Sequence, residues 1–152
     1  MEIINLTSIR ESYRHYMITI NRKYGKIQIN THFSSYIQAI TNSSEICGLV
    51  FARERGSMYV GVTNEQNSNV LFLKYSQITN SYMRSDINIA DELIKIFLEQ
   101  EPDNDTYNII VDKTNITQEN NALLFRVTKI RKSKSNKIEW LKLTKNKDNN
   151  NV

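Results

Sequence analysis

The chain matches itself when it is shifted by 60 residues, and this internal similarity limits its fold more than any other feature of the sequence. The text GKIQINTHFSSYIQAI at 25–40 lies over SDINIADELIKIFLEQ at 85–100, so that Phe33 falls on Leu93. One copy of about 45 residues would bury too little apolar surface to be stable alone. We therefore predict two copies that share one core about a pseudo-twofold axis.

Each copy is predicted to run strand, helix, strand, strand. Ile27 and Ile29 alternate with the period of two expected of a half-buried strand, and Ile87 and Ile89 occupy the same places in the second copy. Either Asn30 or Thr31, which follow the first of these strands, can cap a helix by accepting from its first free N–H groups. In both copies apolar residues then recur at helical spacing, which predicts an amphipathic helix.

Two strand-like runs follow each predicted helix. They are GLVFAR and SMYVGVT in the first copy, and TYNIIVD and NALLFRVT in the second, where the loop KTNITQEN joins them. A further strand over Val70–Tyr75 bridges the copies. Ser8 and Glu11 form a capping-box pattern that predicts a short N-terminal helix. The text KIEWLKL predicts a last strand, with Trp140 against the core.

These patterns together predict an α+β fold. It consists of two pseudo-symmetric β-α-β-β units sharing one core, and it is β-rich, with two to three short helices and a basic C-terminal tail. Residues 1–130 would form a single domain from repeats at about 17–75 and 76–130. Residues 131–152 would form a basic, partly disordered tail.

Charge is distributed unevenly along the chain. The net charge of +4 is the sum of +3 over residues 1–90, −6 over residues 91–125 and +7 over residues 126–152. Dense Lys and Arg attract polyanions and release their counterions on binding. The alternative is a solvated tail that only keeps the protein in solution. The acidic stretch can also fold against the tail and mask it.

No motif in the sequence predicts an enzyme, a metal site or a cofactor. His15, His32 and Cys47 are the only His and Cys residues, too few for a zinc site. GxSxG and phosphate-binding glycine loops are absent, so we predict no catalytic residue, and Cys47 is expected to be a buried structural thiol. The chain shows neither a membrane-length apolar run nor a secretory signal. We therefore expect a protein of the bacterial or infected-host cytoplasm.

Aromatic and basic residues alternate at several turns, a pattern typical of nucleic-acid surfaces. Cations contact phosphates there, while aromatic rings stack on unpaired bases. The alternative is that the tyrosines pack half-buried under neighbouring Lys stems. The predicted contacts are Arg22, Lys23, Tyr24, Lys26, Arg53, Arg55, Tyr82 and Arg84, with Lys132, Lys134 and Lys137 of the tail adding non-specific affinity.

The segment GKIQIN followed by a short helix resembles the half-unit of AbrB-type transcription factors, which runs Gly-Arg-Ile-x-Ile-Pro before a helix and two strands. Gly25, Lys26, Ile27 and Ile29 match that opening, while Asn30 stands where proline is usual. The second copy has Ser-Asp in place of Gly-Lys. The layout over about residues 17–130 also resembles small uncharacterised proteins of Bacteroidetes and their phages. The AbrB resemblance implies that basic residues around the hairpins contact DNA.

The sequence therefore predicts a non-enzymatic DNA-binding protein, either regulatory or single-strand-binding. DNA is favoured over RNA as the partner, and a homodimer is compatible with the sequence. The alternative is a protein-interaction module, such as a phage accessory, structural or host-inhibitor protein, whose edge strands pair with a partner.

Overall fold

The chain forms a closed, antiparallel β-barrel of eight strands with a ninth strand attached, as seen in a computed structural model. The structure describes residues 1–3, 15–41, 45–135 and 137–143. The strands are β1 (Tyr16–Asn21), β2 (Lys26–Ile29), β3 (Ile46–Glu54), β4 (Ser57–Thr63), β5 (Leu71–Ser76), β6 (Ser81–Ser85), β7 (Thr106–Glu119), β8 (Ala122–Lys134) and β9 (Lys137–Trp140). The helices are α1 (Thr31–Thr41) and α2 (Ile87–Glu92), and α2 continues into a π-helical turn (Leu93–Phe97).

The strands follow the order β4-β3-β5-β6-β2-β1-β7-β8 around the barrel. The ring closes where β4 pairs with β8, from Tyr59 opposite Arg126 to Thr63 opposite Ala122. Beyond that pairing β9 takes the place of β4 beside β8, with Trp140 opposite Arg131. Because the ring is closed, each of its eight strands pairs with a neighbour on both sides over at least part of its length. Closure is the usual way in which β-proteins avoid exposed strand edges.

The barrel interior is filled by the alternate apolar residues of the strands. Ile18 and Ile20 of β1 and Ile27 and Ile29 of β2 are fully buried, as their period of two predicts. Cys47 is buried as well, which confirms the prediction of a structural thiol, and burial raises its pKa to about 12.

Helix α1 packs at the end of the barrel where β1 begins. Asn30 caps it, because its Oδ1 accepts from the N–H of Phe33 at 3.1 Å. The ring of Phe33 stacks on Tyr16 with 4.6 Å between centroids and meets Phe125 edge-on. Buried Ser34 joins the helix to two strands, since its hydroxyl donates to the carbonyl of Ile29 and accepts from the N–H of Tyr82.

Helix α2 packs at the opposite end, on the β1–β2 turn. Gly25 has φ +63° in this turn, and a Cβ there would lie 2.6 Å from the backbone nitrogen of Ile87. The Gly25 carbonyl accepts from the N–H of Asp86, whose own Oδ1 caps α2 by accepting from the N–H of Ile89. A glycine is therefore required at this turn, because only it allows both the left-handed backbone and the close approach of the helix.

The prediction of an α+β fold from two β-α-β-β units is wrong. Ile87 and Ile89 lie in α2 and not in a strand, because Asp86 caps a helix at that point. Residues 113–119 of the predicted loop KTNITQEN extend β7. A hairpin precedes each helix and another follows it, so two strands, and not one, come before the helix.

The strand order has a symmetry of its own. Exchanging β1–β4 with β5–β8 leaves the cyclic order of the barrel unchanged. The two helix caps, Asn30 and Asp86, occupy matching places and are 56 residues apart, not 60. The textual match at a shift of 60 residues therefore does not align the parts of the chain that correspond in the structure.

Some of the predictions concern residues outside the described part of the chain. The predicted helix at Ser8 is one of them, and residues 144–152 of the predicted tail are another. Residues 131–134 belong to β8, and residues 137–140 form β9. No helix in the described ranges is both long enough and apolar enough to cross a lipid bilayer.

Candidate nucleic-acid interface

Ten of the eleven predicted contacts lie at one end of the barrel, here called the α2 end. The strand register brings together the β1–β2 turn, the β3–β4 turn, the last residues of β6 and β8 and the first residues of β9. The residues at this end are Arg22, Lys23, Tyr24, Lys26, Arg53, Arg55, Arg84, Lys132, Lys134 and Lys137.

Two of these cations are paired with the acidic stretch. The Nε of Arg22 lies 3.0 Å from Oδ1 of Asp91 in α2. Arg53 lies 3.9 Å from Glu99 and also donates to the carbonyl of Phe97. The acidic stretch therefore packs against the α2 end and lowers its positive potential.

Two further cations of the α2 end are paired with carboxylates outside that stretch. Arg84 lies 3.6 Å from Asp86. The Nζ of Lys132 lies 3.0 Å from Glu139 and donates to Gln100, and its side chain is 19% exposed. Among the described residues, four of the nine predicted cations at this end therefore face a carboxylate, which offsets part of the positive charge before any ligand arrives.

The other residues of the α2 end are exposed or half-buried and lie on separate turns and strands. Tyr24 is 61% exposed, and Lys23 extends over its ring with the Nζ 5.4 Å from the centroid. Arg55 is on the β3–β4 turn. Lys134 and Lys137 face each other across β8 and β9. Within the described residues, neither these four cations nor Lys26 of β2 has an ion pair.

Tyr82 is placed differently from the other ten. It is fully buried in the barrel, and its ring meets Tyr75 edge-on. Burial is the main reason that the pKa of its hydroxyl is raised to about 12. In this structure the ring of Tyr82 is not accessible to a nucleic-acid base.

A second surface, which the sequence analysis did not identify, runs across the outside of the sheet. Six outward-facing residues lie side by side on neighbouring strands and are here called the outer row. In order they are Trp140 (β9), Arg131 (β8), Asn108 (β7), Thr19 (β1), Gln28 (β2) and Met83 (β6). The residues that flank them along the strands, such as Ile18, Ile27 and Ile109, point into the core.

The centre of the outer row is a chain of hydrogen bonds that fixes an arginine. The amide nitrogen of Asn108 faces the hydroxyl of Thr19 at 2.8 Å, and its oxygen accepts from Nε and Nη2 of Arg131 at 3.1 and 2.9 Å. The amide takes this orientation because the opposite one would set its donors against those of the guanidinium. Asn108 is 5% exposed, so the bonds to Arg131 form in a largely water-free place.

Trp140 ends the outer row at the free side of β9. Its residue surface is 54% exposed. The Nζ of Lys129 lies 5.6 Å from its ring centroid, and Cζ of Arg131 lies 5.9 Å away. Both cations come from β8, the strand that pairs with β9.

The outer row contains no acidic residue, and neither does the parallel row beside it. That second row is made up of Ser133, Thr106, Asn21, Lys26 and Ser85. Glu139 points to the opposite face, where it pairs with Lys132. Among the described residues, Lys129 and Arg131 therefore have no carboxylate partner, in contrast to the four paired cations of the α2 end.

The expected strand over KIEWLKL is confirmed for Lys137–Trp140, which form β9, but the expected burial of Trp140 is wrong. The alternation Lys129, Arg131, Ser133 was the available signal for an exposed basic strand face. The high density of Lys in this segment also fits a solvated tail, which hides the alternation.

Comparison with protein-family models, with curated proteins and with solved structures finds no match to this chain. Among the described residues, no group of three or more His, Cys, Asp or Glu is placed to hold a metal ion.

Proposed function

We propose that this chain is a non-enzymatic DNA-binding protein of the cytoplasm and that the outer row is its contact surface. The observation that carries the proposal is the exposed Trp140 beside Lys129 and Arg131 on an acid-free sheet face. Unbalanced cations contact phosphates, and amide and hydroxyl groups such as those of Gln28 and Thr19 can donate to sugar and phosphate oxygens.

The α2 end is less suited to be the principal contact surface. A phosphate arriving at Arg22 or Lys132 has to displace a carboxylate that already lies 3.0 Å away. Lys23, Lys26, Arg55, Lys134 and Lys137 remain as secondary contacts that add affinity without sequence preference.

The test is a fluorescence-anisotropy titration of labelled DNA over a salt series. Each phosphate contact contributes about 0.7–0.9 to the slope of log K against log salt. The double variant Lys129→Gln/Arg131→Gln should lower the slope by about 1.5 and weaken binding by roughly 10- to 30-fold at about 0.1 M salt.

The matched control removes two cations from the α2 end in Lys23→Gln/Arg55→Gln. We expect these two substitutions to weaken DNA binding by less than about threefold, because they lower only the overall positive charge of the protein. If the α2-end pair loses more affinity than the outer-row pair, the contact surface has been misplaced. If the wild-type protein binds no DNA at about 0.05 M salt, the proposal of a DNA-binding protein fails.

A protein-interaction module is the second candidate, and a specific groove favours it. A largely apolar groove of about 340 Å³ lies between β3 and the π-helical turn that follows α2. It is lined by Phe51, Leu93, Ile96 and Phe97, and Ile96 is 70% exposed. Exposed apolar surface of this kind is common at protein contacts. Co-purification of one defined protein after nuclease treatment, abolished by Ile96→Asp, would favour this candidate over DNA binding.

A further inference from the structure

We infer that the DNA bound by the outer row is single-stranded and that one unpaired base stacks on Trp140; this inference rests on the proposed function. The ring stands at the outer edge of the sheet, because β9 pairs with β8 on one side and with no other described strand on the other. A side chain that is 54% exposed at such an edge presents aromatic surface to an arriving ligand.

The cations beside the ring come from the neighbouring strand. Lys129 and Arg131 of β8 lie 5.6 and 5.9 Å from the centroid of Trp140. Trp140 nevertheless stays 54% exposed. A base can therefore stack on the exposed part of the ring, while the phosphates next to it reach the two cations.

The arginine beside the ring is held in place before the ligand binds. Both donors of Arg131 that face Asn108 are already bonded, and the amide of Asn108 is itself held by Thr19. The guanidinium therefore loses little side-chain entropy when a phosphate binds to its remaining donors. This arrangement favours a ligand in which a flat ring and a phosphate are neighbours, as the base and the phosphate of one nucleotide are.

A DNA duplex fits this surface poorly. Reading a duplex requires an element that enters a groove, commonly a helix in the major groove. Both helices in the described part of the chain are packed at the barrel ends, α1 through buried Phe33 and Ile37 and α2 against Gly25. The outer row lies on the face of a sheet, and bases paired inside a duplex cannot stack on Trp140.

The sequence provides a direct probe, because Trp140 is the only tryptophan. Its emission, excited where tyrosine does not absorb, should be quenched to saturation by oligo(dT) of about 20 nucleotides and much less by a duplex of the same length. Trp140→Leu should weaken oligo(dT) binding by about 5- to 100-fold. The affinity of the Trp140→Leu variant for duplex DNA should differ from that of the wild-type protein by less than twofold.

Tyr24→Leu is the matched control, since it removes another exposed aromatic ring, at the α2 end. We expect it to leave oligo(dT) affinity within about twofold. Trp140→Phe keeps a smaller ring and should retain part of the affinity. Circular dichroism identifies any variant that fails to fold, and the quenching of the wild-type protein tests the stacking without any variant.

The outcomes separate the two proposals. Equal binding of duplex and oligo(dT), with unchanged emission and no effect of Trp140→Leu, overturns the stacking inference and leaves DNA binding intact. Tighter binding of oligo(U) than of oligo(dT) overturns the choice of DNA as the ligand. An absence of binding to every oligonucleotide at about 0.05 M salt overturns both proposals.

Discussion

The ammonium group of Lys113 lies 3.0 Å from Nε2 of His32, on the flank of α1. Because a Lys ammonium only donates, the imidazole has to accept through Nε2 and carry its proton on Nδ1. The same Lys113 nitrogen is 5.5 Å from the ring centroid of Tyr16, and the Tyr16 and His32 rings are 5.0 Å apart. The contact is therefore formed by neutral His32.

This contact predicts a stability that depends on pH. Burial, and then the charge of Lys113, lower the pKa of His32 below its usual value of 6.5. The unfolded chain therefore binds the proton more readily, and stability is lost as the pH falls through 6.5 towards the folded-state pKa.

An NMR titration should give a His32 pKa below 6.5 that rises in Lys113→Ala. Loss of stability between about pH 7.5 and pH 5.5 should be smaller in His32→Gln. A His32 pKa at or above 6.5 would contradict the contact.

Asn108 is predicted to support DNA binding without touching DNA. Asn108→Ala frees the guanidinium of Arg131 but removes no charge, so affinity should fall by about 3- to 10-fold while the salt slope stays the same. Asn108→Asp should lower the slope by nearly one, because the new carboxylate pairs with Arg131. Unfolding in urea should show Asn108→Ala to be about 1–3 kcal/mol less stable, since the half-buried Thr19 and Arg131 both lose a bond to it. An Asn108→Ala slope that falls as far as that of Asn108→Asp would argue against a positioning role.

Tyr82 is predicted to affect stability and not binding. Its pKa is raised to about 12 by burial, so the neutral phenol stabilises the fold and that contribution declines as the pH rises through 10, the usual Tyr value. Tyr82→Phe should cost about 1 kcal/mol in urea unfolding and remove this alkaline decline. Its DNA affinity should match that of the wild-type protein within about twofold. A larger loss of affinity in a folded Tyr82→Phe protein would show that the ring contacts the ligand after all.

Gly25 is predicted to be intolerant of any side chain. Gly25→Ala adds a strained left-handed residue and a Cβ that would lie 2.6 and 2.7 Å from the Ile87 backbone, and it should cost about 2–4 kcal/mol in thermal or urea unfolding. Adding Ile87→Ala removes the side-chain clash at 2.5 Å but leaves both backbone clashes, so the double variant should regain little stability. Full recovery in the double variant would show that the conflict is with the side chain alone.

Local elements of this fold could be predicted from the sequence, because their signals lie within a few residues. The alternation Ile27, Ile29 and the cap at Asn30 correctly indicated β2 and the start of α1. The segment around Ile87 and Ile89 was ambiguous, since its apolar residues fit both a period of two and the helical spacing that continues to Ile94. Its helical state depends on the cap at Asp86.

The closure of the barrel could not be predicted in this way. It depends on the pairing of β4 with β8, in which Tyr59 lies opposite Arg126, and no local pattern records which distant strands meet. The exposure of Trp140 is also a long-range result, because it depends on which face β9 turns outward beside β8. The AbrB resemblance and the DNA-binding contacts of the α2 end stay predictions.

The cyclic strand order has a consequence for how the chain folds. Hairpins from the first and second halves alternate around the ring, so each hairpin touches only hairpins of the other half. A half produced by cutting within residues 64–70 would hold two separate hairpins, and isolated two-stranded hairpins are marginal in water. We expect neither fragment to fold alone and the mixed fragments to assemble together. The same interleaving would let two intact chains trade halves, which makes a domain-swapped dimer an accessible by-product of refolding at high concentration.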